Sequence, residues 1–381
     1  MQKKLIALAI AGLSGAAFAQ TNVTIYGVAD ATFDFINVKD GNTGANNPNF
    51  NRVSTNGSRL GLRGTENLGN GLNAIFQFES DANFDSGGGL NTSRDSFVGL
   101  SGDFGKVLLG TLTGPTRALG EALDVNATAD GIMSNKAVLG KLGGALTQGN
   151  GASMADTRWN NAIAYVSPSF SGLQATAVYT TAENKDENTF SKINTNGYDL
   201  GLNYNNGPVM VGATYNQVNE RNGGFTPSIV GTGNDEKIKV WRVGGMYDFG
   251  NATVRALYDR TKANGSLGEV KQSVWGIGGT FNVTPNGKIT AQYYQAKDLN
   301  LTGGNDNDTG AKFYTIGYEH SLSKRTMLKA GYAYLKNDSQ VATNGNGGYD
   351  FGNNPASANS GVTIGDGVKL SGFQFGLRHS F

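Results

Sequence analysis

Apolar and polar residues alternate in twos along most of this chain. Val23, Ile25, Ala29, Ala31, Phe33 and Phe35 interleave with Thr24, Tyr26, Asp30, Thr32 and Asp34. A strand sends successive side chains to opposite faces, so this stretch has one apolar face and one polar face. The same rule sets Leu60 and Leu62 against Arg59, Gly61 and Arg63, and sets Leu72, Ala74, Phe76 and Phe78 against Asn73, Gln77 and Glu79. It recurs at Tyr198, Leu200, Leu202 and Tyr204, at Trp241, Val243, Tyr247 and Phe249, and at Tyr314, Ile316 and Tyr318. The last stretch, Val368 to Phe381, places Phe373, Phe375, Leu377, His379 and Phe381 on one side. Chain termini are usually frayed and polar. An amphipathic strand ending on Phe predicts instead a strand that closes something, with one face towards lipid. About sixteen such segments follow one another, within the even-numbered range of bacterial barrels.

The connections alternate in length. Short ones at Glu66–Gly71, Gly102–Gly105, Ser167–Gly172, Asn205–Pro208, Asp248–Asn251, Asn282–Lys288 and Ser321–Arg325 are rich in Gly, Asn, Asp and Pro, as tight turns require. Long polar ones include Lys39–Phe50, Asp81–Ser93, Thr113–Thr157, Ala182–Thr195, Asn219–Glu236, Thr261–Val270, Lys297–Ala311 and Asn337–Gly367. Short turns on one rim and long loops on the other are the pattern of a transmembrane β-barrel. The expectation is an all-β, 16-stranded antiparallel transmembrane β-barrel. Closing the sheet pairs every backbone group, so the first and last strands must meet and no internal domain boundary is expected.

Composition narrows the picture. Glycine accounts for 57 of 381 residues, about twice average usage, while proline accounts for only 7. Many glycines, among them Gly27, Gly61, Gly212, Gly278 and Gly317, fall inside strand patterns, where they permit close approach and curvature. Mean hydropathy is −0.32. No internal run supplies the roughly 20 apolar residues of a membrane helix. Lys and Arg total 31 against 30 acids, without the basic excess of a nucleic-acid binder. Residues 1–19 read as a secretory signal, with Lys3 and Lys4, an apolar run from Leu5 to Ala17, and Ala17-Phe18-Ala19 as the cleavage site. Residues 20–381 then form a single barrel domain. Its formal charge near −1 decides nothing about selectivity.

Candidate chemistry is sparse. There is no Cys and there are two His, His320 and His379, both on apolar strand faces near one rim. Neither a nucleophilic centre nor a metal site is expected, and no phosphate-cradling or nucleophile-elbow motif is present. No catalytic residue, metal or cofactor is therefore assigned. The informative charges are Arg59, Arg63, Arg94 and Arg158, on the polar faces of the second, fourth and sixth segments. Arginine facing lipid at the midplane costs about 2–4 kcal/mol, so these should line water. Arg242, Arg255 and Arg378 are further inward candidates. The loop Thr113–Thr157 is long enough to be functional and carries Glu121, Asp124 and Asp130. Folded into the lumen, it would set acids opposite the Arg wall and make a charged aperture of the kind that selects ions.

Several motifs resemble the general-diffusion porins of beta-proteobacteria, including the neisserial class. They are Val23-Thr24-Ile25-Tyr26-Gly27-Val28-Ala29-Asp30, Ser58-Arg59-Leu60-Gly61-Leu62-Arg63-Gly64-Thr65-Glu66-Asn67-Leu68-Gly69, Phe97-Val98-Gly99-Leu100, Tyr165-Val166-Ser167-Pro168 and the terminal Phe381. The resemblance implies a homotrimer of sixteen-stranded barrels in a Gram-negative outer membrane, with the long third loop folded into the lumen as an eyelet. It implies wall arginines Arg59, Arg94 and Arg158, Glu79 beside them, and Glu121 and Asp124 as loop acids. Small hydrophilic solutes and inorganic ions would pass, with a lean to anions. Outer-membrane lipid would face Phe373, Phe375, Leu377 and Phe381, and the terminal Phe would mark the chain for the outer-membrane assembly machinery. The alternatives are a substrate-specific channel, and a receptor or adhesin barrel acting through its long external loops.

Overall fold

The computed structural model describes residues 22–39, 48–87, 90, 92, 94–126, 130–143, 156–181, 195–220, 236–265, 268–340, 348–352, 355–358 and 361–381. The expected signal segment and parts of most of the long loops lie outside these residues. One antiparallel sheet of 19 strands closes on itself. In chain order the strands are β1 Asn22–Lys39, β2 Phe50–Thr55, β3 Arg59–Gly69, β4 Leu72–Asp81, β5 Ser96–Gly102, β6 Gly105–Thr113, β7 Arg158–Val166, β8 Leu173–Thr181, β9 Asn196–Asn206 and β10 Val209–Glu220. There follow β11 Glu236–Asp248, β12 Ala252–Gly265, β13 Gly268–Thr284, β14 Gly287–Ala296, β15 Leu299–Leu301, β16 Gly304–Asp306, β17 Ala311–Ser321, β18 Thr326–Asn337 and β19 Lys369–Ser380. Strands β2 and β3 both pair with β1 and form one interrupted wall strand. The short β15–β16 hairpin lies in the connection between β14 and β17, which pair directly. The wall therefore has sixteen strands.

Closure is made by β1 and β19, in register from Val28 opposite Ser380 to Lys39 opposite Lys369. Phe33 and Phe375 meet outside at 6.0 Å. Phe381 exchanges backbone hydrogen bonds with Gly27 at 3.0 and 3.1 Å, and its ring lies where a Gly27 Cβ would stand, 2.3 Å from Cζ. The final aromatic residue is thus seated in a notch of the first strand.

Two expectations about connections are corrected. Some short turns are tighter than the sequence suggests, although Ser167–Gly172 is the whole connection between β7 and β8: β3 runs through Glu66 to Gly69, leaving Asn70 and Gly71 to turn at φ 51° and 77°. Both central residues are left-handed, the geometry that matches the twist of a hairpin. Conversely, Thr261–Val270 is mostly not loop. Strand β12 continues to Gly265 and β13 begins at Gly268. Ladder hydrogen bonds are indifferent to polar side chains, and β13 has 17 residues where a tilted span needs about 9–11. On the long-loop side the wall rises beyond the lipid.

Outward positions carry aromatic belts at both rims. On the long-loop side Tyr215 packs on Tyr198 and Trp241, Trp275 on Tyr293, and Tyr314 on Tyr334. Amphipathic rings at headgroup level mark the membrane interface. The buried apolar core, by contrast, lies inside the barrel. Leu119, Leu123, Ile132, Met133, Val138 and Leu139 of the third loop pack with Phe313 and Leu335 of the wall and with Tyr349, Phe351 and Ile364 of the last long loop. The described parts of Asn337–Gly367 thus fold inward: Lys141 Nζ donates to the Asp350 carbonyl at 3.2 Å, and the Gly143 amide donates to the Tyr349 hydroxyl at 3.0 Å.

Candidate pore constriction

The third loop begins with one helix, α1, Pro115–Leu123. Its Pro, at the first helical position, is pre-set for helix entry. Pro115, Leu119 and Leu123 recur every four residues and share a face. Each meets a wall glycine on a successive strand: a Cβ at Gly201 of β9 would stand 2.4 Å from Pro115 Cβ, at Gly212 of β10 2.6 Å from Leu119 Cδ1, and at Gly244 of β11 2.4 Å from Leu123 Cδ1. Four helical residues advance about 6 Å and neighbouring strands lie about 4.8 Å apart, so a slightly oblique helix meets one strand per turn. The loop continues in the same way, with Val125 at Gly278, Met133 at Gly317 and Gly331, and Ile132 at Gly372. Many in-strand glycines are the bed of the loop.

Polar groups of the wall finish both helix ends. Gly114, at the N-cap, has no side chain to offer. Instead Asp199 of β9 accepts from the Thr116 amide at 3.2 Å and from its hydroxyl at 2.6 Å. At the other end the Arg255 guanidinium of β12 donates to the Asp124 carbonyl. A carboxylate at the N-terminus and a cation at the C-terminus both complement the helix dipole. Arg242, wholly buried under the helix, pairs with Asp156 at 3.0 Å and Asp259 at 2.9 Å and donates to the Thr116 carbonyl at 2.7 Å. It clamps the loop and does not face the ion path.

With α1 held on β9–β12, its other face, Ala118 and Glu121, looks across at β3–β7. Between them lies a cavity of about 510 Å³ lined by Arg59, Glu79, Arg94, Asp95, Glu121 and Arg158, among others. Sheet register brings the wall charges together: Gly61, two residues from Arg59, opposes Glu79, the Arg94 amide donates to the Glu79 carbonyl at 3.2 Å, and Arg158 opposes Thr113. Arg94 binds Glu79 at 2.5 Å and Asp81 at 2.9 Å. Glu79 also lies 3.6 Å from Arg59 and accepts the Tyr26 hydroxyl at 2.9 Å. Arg158 pairs with Asp95 at 2.9 Å, and Thr113 donates to the same oxygen at 2.6 Å. Glu121 is held by Arg117 at 2.9 Å and Lys136 at 2.8 Å. Burial alone would raise the Glu121 pKa, but Lys136 and Arg117 outweigh it and hold the carboxyl at about 2.

The remaining expected residues lie elsewhere. Arg63 is outside this cavity, its guanidinium carbon 5.0 Å from the centre of the Tyr26 ring. It is exposed and makes no ion pair among the described residues. Asp124 is also apart: its carboxylate is buried and accepts the backbone amides of Asn135 at 2.7 Å and Asn126 at 2.9 Å. Burial pushes its pKa up to about 6 against those hydrogen bonds. It fastens the return of the loop and does not point at the Arg wall. Sequence reasoning missed Asp95, Arg117 and Tyr26 as parts of the cluster. Asp95 was signalled only by its position beside Arg94. No group of His, Cys and acids suited to a metal ion occurs among the described residues.

A closed barrel with an apolar exterior and a lumen narrowed by an inward loop and lined with charge defines a passive channel of the outer membrane. Comparison with known proteins agrees: residues 5–340 match the Gram-negative porin family. The chain belongs to that family, is located in the Gram-negative outer membrane, and is a general diffusion porin rather than an enzyme. It is 34% identical to outer membrane porin protein 32 of Delftia acidovorans, over 100% of both chains. It is 30% identical to the major outer membrane protein P.IB of Neisseria gonorrhoeae, over 87% of this chain and 93% of that one. Among solved structures it resembles the anion-selective porin from Comamonas acidovorans, with a TM-score of 0.75, 30% identity, and 95% and 100% of the two chains covered. OmpT of Vibrio cholerae, in its trimer form, shares the fold at a TM-score of 0.67 and 17% identity, over 95% and 99% of the chains.

Proposed function

We propose that Arg59, Arg94, Arg158, Glu79 and Glu121 form the selective aperture of this porin, with Arg63 beside them, and that the pore prefers anions weakly. The observation that carries this is a surplus of hydrogen-bond donors. Three guanidiniums border one cavity, and each offers five N–H groups and no acceptor. The acids there are already engaged: Glu79 by Arg94, Arg59 and Tyr26, Asp95 by Arg158 and Thr113, and Glu121 by Arg117 and Lys136. A passing anion finds free donors, whereas a passing cation finds acceptors that are spoken for. Arg63 adds a positive charge that stacks on Tyr26 and has no ion-pair partner among the described residues, and the Comamonas relative's anion selectivity points the same way. Asp124 belongs to the loop's attachment in this reading.

The same reading includes removal of residues 1–19 on export, a single barrel domain of residues 20–381, assembly as a homotrimer like the porin relative solved in trimer form, and a role for Phe381 in handling by the assembly machinery. The test is the double variant Arg94→Ala/Arg158→Ala in a planar bilayer across a salt gradient. A unit charge about 6 Å from the ion path changes an ion's energy by about 0.7 kcal/mol in water, with opposite sign for anion and cation. Each lost charge therefore lowers the anion-to-cation permeability ratio about tenfold at low salt, and less near 0.1 M, where the Debye length is about 10 Å. An unchanged reversal potential would remove these residues from the aperture.

A further inference from the structure

Of the three aperture arginines, Arg59 is the least engaged. Its side chain is 24% exposed, against 13% for Arg94 and 15% for Arg158. Arg94 and Arg158 each hold a carboxylate at 2.9 Å. The Arg59 Nε instead stands 3.6 Å from Glu79 Oε2, an ion contact beyond hydrogen-bond reach. An arginine beside a buried carboxylate gains most by closing on it, because charge-assisted hydrogen bonds are the strong ones. The side chain that keeps this pair open is Tyr26. Register sets Tyr26 of β1 opposite Gly61 of β3, and Gly61 opposite Glu79 of β4. The phenol thus crosses β3 to reach a partner two strands away, about 10 Å. Only a residue without a side chain leaves that path open: a Cβ at Gly61 would lie 2.6 Å from the Tyr26 hydroxyl oxygen. Residues two apart share a strand face, so the ring lies between Arg59 and Arg63. Its hydroxyl donates at 2.9 Å to Glu79 Oε2, the oxygen that faces Arg59, while Arg94 holds Oε1. The Arg63 guanidinium carbon is 5.0 Å from the ring centre, within cation–π range.

We infer that Tyr26 is a positioning residue for selectivity, acting through Arg59: it keeps that guanidinium from closing on Glu79. Glu79 is 8% exposed, and a carboxylate so deeply buried needs its oxygens met by donors. Tyr26 meets one of them with a neutral donor in the place where Arg59 would supply a charged one. With the phenol in place, the Arg59 charge stays turned to the water path. Without it, Arg59 would close on Glu79, and each would cancel the other's field on a passing ion. The role rests on the aperture proposed above and deepens it. The arginines set the largest anion preference the aperture can have, and Tyr26 sets how much of it Glu79 takes away. Gly61 then belongs to the same device, as the seat of the ring.

The test is the reversal potential of the full-length protein in a planar bilayer, across a salt gradient at low ionic strength. Tyr26→Phe keeps the ring, its seat on Gly61 and its contact with Arg63, and removes only the hydroxyl. The anion-to-cation permeability ratio should fall at least about threefold, and no further than in Arg59→Ala, where a whole charge is lost and the limit is about tenfold. With Glu79→Gln or Arg59→Ala already present, adding Tyr26→Phe should change the ratio less than about twofold, because the pair it releases is then missing. Only inserted channels are recorded, so a lower folding yield does not enter the result. A ring that merely fills space would leave Tyr26→Phe at the wild-type ratio, and that outcome overturns the role. So does an equal fall in the Glu79→Gln or Arg59→Ala background, because the hydroxyl would then act on some other group. An unchanged potential in Arg94→Ala/Arg158→Ala would displace the aperture itself and this role with it. A shift there with none in Tyr26→Phe removes Tyr26 alone.

Discussion

The glycine bed makes a sharp prediction at Gly201. A Cβ there would lie 2.4 Å from Pro115 Cβ and 3.2 Å from Pro115 Cγ. An ordinary contact needs about 3.6 Å, so Gly201→Ala displaces the start of α1 by about 1 Å. Pro115 is a rigid ring and cannot yield by changing rotamer. The helix must therefore move off β9, which is towards the cavity bordered by Pro115, Ala118 and Glu121. Overpacking of this kind costs about 1–3 kcal/mol. The move also lengthens the bonds from Thr116 to Asp199, and loss of such a cap costs about 0.5–2 kcal/mol. The variant should open to a smaller single-channel conductance, with more current noise as the loop loosens. Adding Pro115→Gly removes the clashing atom and should restore the wild-type step size. Wild-type conductance in Gly201→Ala, or no recovery in the double variant, would refute the argument that wall glycines set the position of the loop.

Further predictions concern titration and closure. Glu121 has its pKa lowered to about 2, so its pairing contributes stability above its ordinary value near 4.5 and loses it as pH falls towards 2. The Glu121 charge in the folded channel is lost only as pH nears 2, so the difference in conductance and selectivity between wild type and Glu121→Gln should persist from pH 7 to well below 4.5, as single-channel recording against pH would show. Asp124 is shifted the other way, to about 6, so the folded loop favours the protonated form and loses stability as pH rises from about 4 to 6. Asp124→Asn should raise the melting temperature at pH 7 and leave it unchanged at pH 4. Deleting Phe381, whose ring fills the notch at Gly27, should lower the yield of assembled barrels while surviving channels conduct normally. Altered conductance at normal yield would contradict that role.

How much of this was legible beforehand depends on which side of the wall is considered. The lipid face repeats one demand on every strand, so alternation alone located the strands and their number. Arg59, Arg94 and Arg158 could be placed for the same reason: charge on a strand whose other face is apolar must point to water. The acids were harder, because their partners are set by the path of a loop and by register between non-consecutive segments. Glu121 and Asp124 are three residues apart on similar sequence, yet one looks across the cavity and the other is buried on two backbone amides. The purpose of Gly201, Gly212 and Gly244 was equally hidden, because a glycine that makes room looks the same as one that merely weakens a strand. The inward course of the last loop had no sequence signal beyond its scattered Tyr349, Phe351 and Ile364.

The central claim is that a donor-rich aperture passes small solutes by diffusion and leans towards anions. Single-channel recording of the wild-type protein across a tenfold KCl gradient tests it most directly. The account predicts ohmic steps grouped in threes and a reversal potential of the sign set by chloride. A silent barrel, or a reversal potential set by potassium, would contradict it.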